Sequence, residues 1–392
     1  MNRISRNIAV LGTLISALAA PVAFAQSQGI SKNEIVLGSI LDLSGPLAGP
    51  SKQARNGMQM RVDEINENGG IAGRKIKLIV EDNGYDPKKA ILAAQKLVSR
   101  DEVFAIVGHL GTAQNMAAMS ILFEKNVINF FPLSGAREMF EPADKLKLAY
   151  LAPYYDQMRI VLPQLVKQKS AKRVGIIYQD DEFGLEVMRG AEAALKGLNM
   201  AFVEKTSFKR GATDFSSQIA KLKAADCDLV VLGTIIRETV GAVGEARKNG
   251  LNPTFLGSIT AYNHLIHTLG GKAVEGVYAV HQAAQPYADD TSNTVRDWAT
   301  KYKTKFGEDT SVWSVAGYSF IDTFGQAAEK AGANLSTDSF VNAMETTVFP
   351  RDIFGSPECR ITKTDRLCSN KFRLAQIQNG RWVTLTDYMS GE

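Results

Sequence analysis

Stretches with the pattern of β-strands alternate with helix-like stretches along the first part of the chain. Apolar, β-branched segments predict strands at residues 35–40, 76–80, 103–107 and 127–130, and apolar side chains at helical spacing predict helices at 51–66, 87–99 and 112–123. Short connections join these elements in the order βαβα. This order implies a parallel sheet with helices on both of its faces.

The rhythm pauses near residues 149–155 and then starts again, with no sequence repeat between the two halves. The second series predicts helices at 156–168, 183–195, 215–223 and 239–248, and strands at 173–178, 200–204, 229–232, 254–256 and 277–280. Further helices are predicted at 293–306, 313–330 and 337–346, followed by a hairpin around Asn379-Gly380. We therefore expect an α/β fold of two doubly wound parallel-sheet lobes.

The charge balance of the chain limits its partners. Its 392 residues are 45% hydrophobic and 22% charged, which is the composition of a globular chain large enough for two lobes. The formal net charge is +4, and it falls to +2 without Arg3 and Arg6. So small a balance argues against nucleic acid or a membrane surface as the main partner.

The first 25 residues have the pattern of a secretory signal peptide. Arg3 and Arg6 precede an apolar run at 8–20, and the small-residue triplet Ala23-Phe24-Ala25 forms a cleavage site. The apolar run is too short to span a bilayer. We expect cleavage after Ala25 and a soluble product in the bacterial periplasm or the medium.

The cysteines fit an oxidising compartment. Cys359 and Cys368 lie nine residues apart in a polar stretch, so they either pair as a disulfide or remain as two exposed thiols. Cys227 stands at the front of the apolar run CDLVVLG and is expected to be a buried, free cysteine.

The stretch AIVGHLGTAQN, residues 105–115, marks a candidate binding loop. A strand ends at Gly108, a tight turn follows at residues 109–111, and Thr112 stands where a helix begins. In open α/β sheets, ligands lie beyond the carboxyl ends of the strands, where backbone amides and helix N-termini favour a negative group. The loop is therefore suited to an anion.

Several loops together resemble the leucine/isoleucine/valine-binding proteins of bacterial ABC importers. The resemblance rests on LSGPLAG, DEINENGGIAGRKIKL, EDNGYDP, VGHLGTAQ and FFPLSGARE, in this order, and it covers essentially the whole chain after the signal peptide. It implies a type I periplasmic binding protein. Two lobes joined by three hinge crossings would close on a small ligand and present it to a membrane permease.

The resemblance also implies where a ligand carboxylate binds. In such proteins the two turns that match residues 109–112 and 133–135 hold the α-carboxylate through main-chain amides and a hydroxyl. It therefore nominates His109, Leu110, Gly111, Thr112, Leu133, Ser134 and Gly135 as ligand-binding residues. Thr112 and Ser134 offer the hydroxyls, with the dipole of the helix that starts at Thr112. The alternative is that both residues only cap helices.

One departure from the family pattern concerns the ammonium group of an amino acid. Amino-acid binders place an acid in the loop that matches GSITAYN, and the matching position here is Ile259. The ammonium group would then lack its anionic partner. The ligand is accordingly either an amino acid, on family grounds, or an aliphatic or aromatic carboxylate without an amine.

Each candidate ligand-binding residue in the second lobe can be interpreted in two ways. Thr234 and Arg237 follow a strand in LGTIIRE, where Arg237 either faces the cleft or pairs with Glu238 or Glu245 at the helix surface. Phe183, with Tyr154 or Tyr155, is either an apolar clamp on the ligand or part of ordinary packing.

The sequence gives little support to metal binding or enzymatic catalysis. His264 and His267 are three residues apart, but no nearby carboxylate or cysteine completes a metal site. The motifs GxxxxGK[ST], GxSxG and GxGxxG do not occur, so a secreted α/β enzyme, the alternative class, has no residues to nominate. We expect no cofactor and no metal.

The predicted organisation is thus a monomeric solute-binding subunit with two lobes. The first lobe is predicted to comprise residues 26–149 and 281–331, and the second lobe residues 150–280 and 332–392. Its expected partners are a carboxylate-bearing small molecule and an ABC permease in the inner membrane.

Overall fold

The computed structural model describes residues 27–390, so the predicted signal peptide and its cleavage site lie outside the described residues. Among residues 27–390, no helix combines the length and the apolar character needed to cross a bilayer. The chain forms two α/β lobes, each built on one sheet.

The first lobe is built on a five-stranded sheet with the strand order β2-β1-β3-β4-β5. All four neighbouring pairs of strands are parallel. In chain order its elements are β1 (Glu34–Leu41), α1 (Ala48–Glu67), β2 (Lys75–Asp82), α2 (Pro87–Ser99), β3 (Ala105–Val107), α3 (Thr112–Glu124), β4 (Ile128–Phe130) and β5 (Lys147–Leu148).

The second lobe is built on a seven-stranded sheet with the order β12-β11-β10-β9-β8-β6-β7. Its first elements are α4 (Tyr154–Lys169), β6 (Val174–Gln179), α5 (Glu182–Gly197), β7 (Glu204–Phe208), α6 (Ser216–Ala224), β8 (Leu229–Gly233), α7 (Ile236–Lys248), β9 (Thr254–Gly257), α8 (His264–Gly270) and β10 (Tyr278–His281). The chain then forms α9 (Asn293–Phe306), α10 (Val312–Ala331) and α11 (Thr337–Thr346), and it ends with β11 (Arg373–Gln378) and β12 (Arg381–Thr384) of the second sheet. Helix α10 packs on the first lobe, where the ring of Phe324 contacts Phe104 and Phe130.

The sheets confirm the predicted fold class. Strands β6 to β10 are parallel, and the hairpin of β11 and β12 adds two antiparallel strands at one edge. Its turn at Asn379-Gly380 lies where the sequence predicts it, and both residues have positive φ. Strand β8, with the sequence LVVLG, is buried throughout, because helices cover both faces of a parallel sheet.

One predicted strand is wrong in position. The sequence predicts a strand at residues 200–204, whereas β7 spans Glu204–Phe208. The apolar residues before Glu204 belong to the connection from α5, and only Val203 among them reaches the sheet, through its amide to Val174 O. The true strand has the sequence EKTSF, in which alternate residues Thr206 and Phe208 are buried. Its alternating pattern was overlooked because the apolar residues just before it gave a stronger signal.

The segment after residue 332 is divided between the two sheets. Helix α11 packs on the first sheet, where the ring of Phe340 lies 5.8 Å from Phe104 and 5.6 Å from Phe130. Arg366 donates to the carbonyls of Lys145 and Lys147 at the edge of the same sheet. Only β11 and β12 join the second sheet, so this packing differs from the predicted assignment of 332–392 to one lobe. Helical periodicity identifies a buried face but not the sheet it covers. That the two lobes move as independent bodies remains a prediction.

Three chain crossings connect the lobes. They follow β5 at residues 149–153, β10 at 282–286, and Cys368 at 369–372. Gln282 joins the first two crossings, because its Oε1 accepts from the amide of Ala152 at 2.9 Å. A parallel bridge between Ala149 and Leu367 joins the first crossing to the segment that precedes the third. The fold therefore has the three crossings that the family resemblance implies.

Cys359 and Cys368 form a disulfide with a Cα–Cα distance of 4.3 Å, and Cys227 is buried and free. The bridge closes a loop beside the first crossing, where the amide of Cys368 donates to the carbonyl of Ala149. Both cysteines also pair with backbone groups of neighbouring segments, so the loop is anchored at both ends.

We expect removal of this disulfide to lower the free energy of unfolding by about 2 to 3 kcal/mol, the chain-entropy effect of so short a loop. The measurement is urea unfolding of the oxidised protein and of the double variant Cys359→Ala/Cys368→Ala. Equal midpoints and slopes for the two proteins would contradict the expectation. Cys227→Ala is the matched control for loss of a buried sulfur.

Candidate functional site

Two cavities lie in the cleft between the lobes, at the carboxyl ends of the parallel strands. The first, here called the seat, has about 350 Å³ of empty space, part of it open to solvent, and is lined by Leu47, Tyr85, Leu110, Gly111, Thr112, Leu133, Tyr154, Phe183, Ile235, Thr260 and Trp313. The second, here called the hinge-side chamber, has about 660 Å³ of empty space by the same measure and is lined by Leu133, Tyr150, Leu151, Tyr154, Ile259, Thr260, Tyr262, His281, Gln282, Ala283, Val312, Trp313, Val315, Ala316 and Ser356.

The seat and the chamber adjoin each other. Leu133, Tyr154, Thr260 and Trp313 line both cavities. These residues come from both lobes and from the first turn of α10. One ligand can therefore extend from the seat into the chamber.

Two hydroxyls lie at the polar end of the seat, where Thr112 belongs to the lining, whereas Ser134 and Gly135 lie outside it. Thr112 Oγ1 and Ser134 Oγ lie 2.8 Å apart, and both residues are buried. Thr112 is the first residue of α3, and Gly111 precedes it with φ 98°, a conformation that favours glycine. Without a capping side chain at Gly111, the first-turn amides of α3 remain directed at the end of the helix. Their partial positive charge suits an anion.

Three of the other predicted amides already donate to backbone carbonyls. The amide of Leu110 donates to Ile40 O at 2.9 Å, and the amide of Leu133 donates to His109 O at 2.9 Å. The amide of Gly111 donates to Leu133 O at 3.3 Å. The donors left for a carboxylate are therefore the hydroxyls of Thr112 and Ser134, the amides of Ser134 and Gly135, and the first turn of α3.

Tyr154 places a phenol against this polar end. Burial raises its pKa to about 12, and hydrogen bonds with the backbone of Gly135 and the side chain of Ser134 act in the opposite direction. The ring also packs edge-on against Phe183, with centroids 5.1 Å apart. Of the two tyrosines considered as a clamp, Tyr154 lines the cavities. Tyr155 instead stacks with Arg137, whose guanidinium carbon lies 4.2 Å from the centre of the tyrosine ring.

Among residues 27–390, no acidic side chain, lysine or arginine lines either cavity. Three acids in the second-lobe loops are the possible partners for an ammonium group. Asp181 caps α5 and bridges to Arg210 at 2.7 Å, and Glu238 pairs with Arg237 at 3.2 Å. Glu182 is exposed on α5. Ile259, which the resemblance matches to the acid of the amino-acid binders, lines the chamber.

The structure places the other predicted site residues around these cavities. Leu110, Gly111, Thr112, Leu133, Phe183 and Ile259 line one or both of them. Arg237 is 45% exposed and lies outside the lining. Thr234 is buried and bonded to Thr239 at 2.6 Å, also outside the lining. Arg237 and Thr234 therefore line neither cavity, although the carbonyl of Thr234 accepts from the hydroxyl of Thr260, which lines both.

His109 lies behind the seat instead of in it. Its side chain is fully buried, and neither ring nitrogen has a hydrogen-bond partner. Burial lowers the pKa of His109 to about 3, so the ring is neutral at pH 7. Its carbonyl, which accepts from Leu133 N and from Asn115 Nδ2, helps to hold the two site loops together.

Several lining residues were not found from the sequence. Trp313 and Ala316 lie in the first turns of α10, and Tyr262 and His281 lie near the second crossing. Only the periodicity of α10 was visible, and periodicity does not show that this helix begins at the cleft. Tyr85 lies in EDNGYDP, a loop after a strand, which is the one signal that could have identified it.

The lobes contact each other beside the seat. Arg137 donates two hydrogen bonds to Glu186 of α5, at 2.9 and 3.0 Å, and Glu186 is buried. Gln179 donates to the hydroxyl of Tyr85 at 3.3 Å, and Arg210 lies 5.4 Å from the same ring. These contacts cover the cleft in the conformation described here. In the part of the chain that the structure describes, no three His, Cys, Asp or Glu side chains are grouped for metal binding.

A two-lobed α/β protein with ligand-sized cavities between the carboxyl ends of its sheets has the architecture of a solute-binding protein. The family model described as "Periplasmic binding protein" matches residues 34–381. The chain therefore belongs to the periplasmic binding protein family.

Known relatives agree with this class. The leucine-specific-binding protein of Salmonella typhimurium is 26% identical over 335 residues, which cover 85% of this chain and 90% of the relative. The fatty acid ABC transporter substrate-binding protein of Thermomonospora curvata superposes with a TM-score of 0.84 at 25% identity, covering 93% of this chain and 94% of the other. A solute-binding protein of R. palustris solved with benzoate has the same fold, with a TM-score of 0.79 at 15% identity over 90% and 96% of the chains. The relatives are binding proteins of transporters, not enzymes.

The buried, neutral ring of His109 predicts a loss of stability in acid. The unfolded chain takes up a proton near pH 6.5 that the folded chain does not, so this contribution is complete above pH 6.5 and is lost as the pH falls towards 3. In His109→Leu the pH dependence of the unfolding free energy between pH 6 and 4.5 should be shallower by about 1.4 kcal/mol per pH unit. Urea unfolding at several pH values measures it, and identical slopes for the two proteins would contradict it.

Proposed function

We propose that this periplasmic binding protein is the solute-binding subunit of an ABC importer and captures a carboxylate that carries no ammonium group. It binds the ligand as a monomer in the cleft between the lobes and delivers it to a permease in the inner membrane. The signal peptide predicted to be cleaved after Ala25 directs it to the periplasm.

The observation that carries this proposal is the absence of any acidic side chain from the lining of the seat and the chamber. An ammonium group enclosed there would lose its hydration without gaining an anionic partner, and unpaired buried charges are strongly unfavourable. A carboxylate, by contrast, finds the hydroxyls of Thr112 and Ser134 and the N-terminus of α3.

The similarities support a choice between two ligand classes. One relative is named for leucine, which favours an amino acid, and a structural neighbour of similar identity is named for a fatty acid. The lining favours the second class, because its apolar side chains suit a hydrocarbon body and Ile259 replaces the acid of the amino-acid binders.

The first test pairs amino acids with their deaminated counterparts. We expect leucine, isoleucine and valine to give small thermal shifts, and the matching 2-oxo acids and simple aliphatic acids to give larger ones, because only the folded state binds the ligand. The protein should first be unfolded and refolded to remove any bound compound. Larger shifts with the branched-chain amino acids would show that Asp181, Glu182 or Glu238 reaches the ammonium group.

The same panel can be repeated on Ile259→Asp, with Ile259→Asn as a control of equal shape and no charge. If the ammonium group of an amino acid would lie beside residue 259, the acidic variant should bind leucine better than the asparagine variant does. Equal binding of leucine by both variants would remove Ile259 as the reason for the preference.

The carboxylate seat has its own test. We expect Thr112→Val to keep the fold and to weaken binding of a carboxylate by about 1.5 to 3 kcal/mol, the usual effect of losing a hydrogen bond to a charged group. Thr234→Val is the matched control, because Thr234 is equally buried and bonded to another hydroxyl but lies outside the cavities. Calorimetry that gives the two variants the same affinity would exclude Thr112 from the site.

A further inference from the structure

We propose that the hinge-side chamber binds an extended aliphatic tail, so that the ligand is a straight-chain carboxylate of medium length. This inference rests on the proposed capture of a carboxylate at the seat. It adds a second, apolar binding site whose size selects the length of the hydrocarbon chain.

The continuity of the two cavities is the first support. The seat, where Thr112 provides a polar end for a carboxylate, has about 350 Å³ of empty space, and the adjoining chamber has about 660 Å³ by the same measure, each partly open to solvent. A compact acid bound at the hydroxyls of Thr112 and Ser134 would leave the larger cavity unfilled. A chain attached to the same carboxylate can pass between Leu133, Tyr154 and Trp313 into the chamber.

The polar groups around the chamber are the second support, because most of them are already bonded to the protein. His281 contacts Ala283 O through Nδ1 and Thr384 Oγ1 through Nε2, both at 3.1 Å. The hydroxyl of Tyr262 accepts from the amide of Gln285 at 3.0 Å. They offer little to a polar ligand or to water, so an apolar occupant is favoured.

Small side chains create the space. Ala283 follows the second crossing, and Ala316 faces the chamber from α10, one helical turn after Trp313. Neither residue lines the seat, so a larger side chain at either position would take its volume from the chamber.

The far end of the chamber is closed by Tyr150 and Ser356. Both residues also line a third cavity outside the cleft, so they form the partition between the two spaces. Ser356 is buried, and its hydroxyl has no hydrogen-bond partner of normal geometry. A hydrocarbon chain that reaches this partition meets polar groups, and further methylenes gain nothing. The chamber therefore sets an upper limit to the useful chain length.

The test is calorimetry of the refolded, ligand-free protein with butanoate, hexanoate, octanoate and decanoate, and with octan-1-ol and benzoate for comparison. We expect the affinity to rise roughly fourfold for each added methylene until the chamber is filled, and then to level off. Octan-1-ol and benzoate should bind more weakly than octanoate, since the first lacks the carboxylate and the second lacks the tail. Binding of all four fatty acids with one affinity would overturn the inference and leave the proposed function intact. Failure of every carboxylate to bind would contradict both.

Two variants locate the tail. Ala316→Phe and Ala283→Leu each reduce the chamber, and both should weaken octanoate binding by a much larger factor than butanoate binding. Circular dichroism and urea unfolding check that the variants fold, and the chain-length series on the unmodified protein stands without them. An equal loss for both acids in the two folded variants would show that the tail does not lie in the chamber.

Discussion

The crossings between the lobes are joined by one buried residue, Gln282, at the second crossing. Its side-chain Oε1 accepts from Ala152 N at 2.9 Å, its Nε2 donates to Tyr150 O at 3.4 Å, and its main-chain carbonyl accepts from the hydroxyl of Tyr388 at 3.0 Å. The first crossing is in turn bonded to the segment before the third through Ala149 and Leu367. Two of the residues that these bonds connect, Tyr150 and Gln282, also line the chamber. The shape of the chamber therefore depends in part on the crossings between the lobes.

Electrostatics in the cleft come from dipoles and hydroxyls, with no formal charge in the lining. The charged pairs near the seat, Arg137 with Glu186 and Arg210 with Asp181, neutralise each other at the contact between the lobes. An anion at the seat then interacts with the first turn of α3 and with Thr112 and Ser134, in surroundings where such dipoles are weakly screened. The same surroundings penalise any cation, which has no acceptor of opposite charge there.

The sequence predicted the fold better than the site. Alternating apolar strands and amphipathic helices place β1, β3, β4 and α11 within a few residues of their true bounds, because burial of one face leaves a periodic trace in the sequence. The polar end of the seat was also visible, since Thr112 and Ser134 follow strands. The chamber was not, because Ala283, Ala316 and Ser356 come from separate segments and are ordinary small residues on their own. Which sheet α11 covers was equally hidden, since its apolar face would suit either lobe.

The return of the chain to both sheets has a consequence for the order in which the protein folds. The first core needs Phe340 of α11 against Phe104 and Phe130, and the second sheet needs β11 beside β10, where Gln376 pairs with Tyr278. Both contacts join residues that are far apart in the chain, and such contacts form late because a long loop must close first. Neither lobe can complete its core before the last part of the chain is available. The two sides of the cleft should therefore reach their final structure at the same stage of folding. A chain truncated before α11 would leave apolar surface uncovered in both lobes.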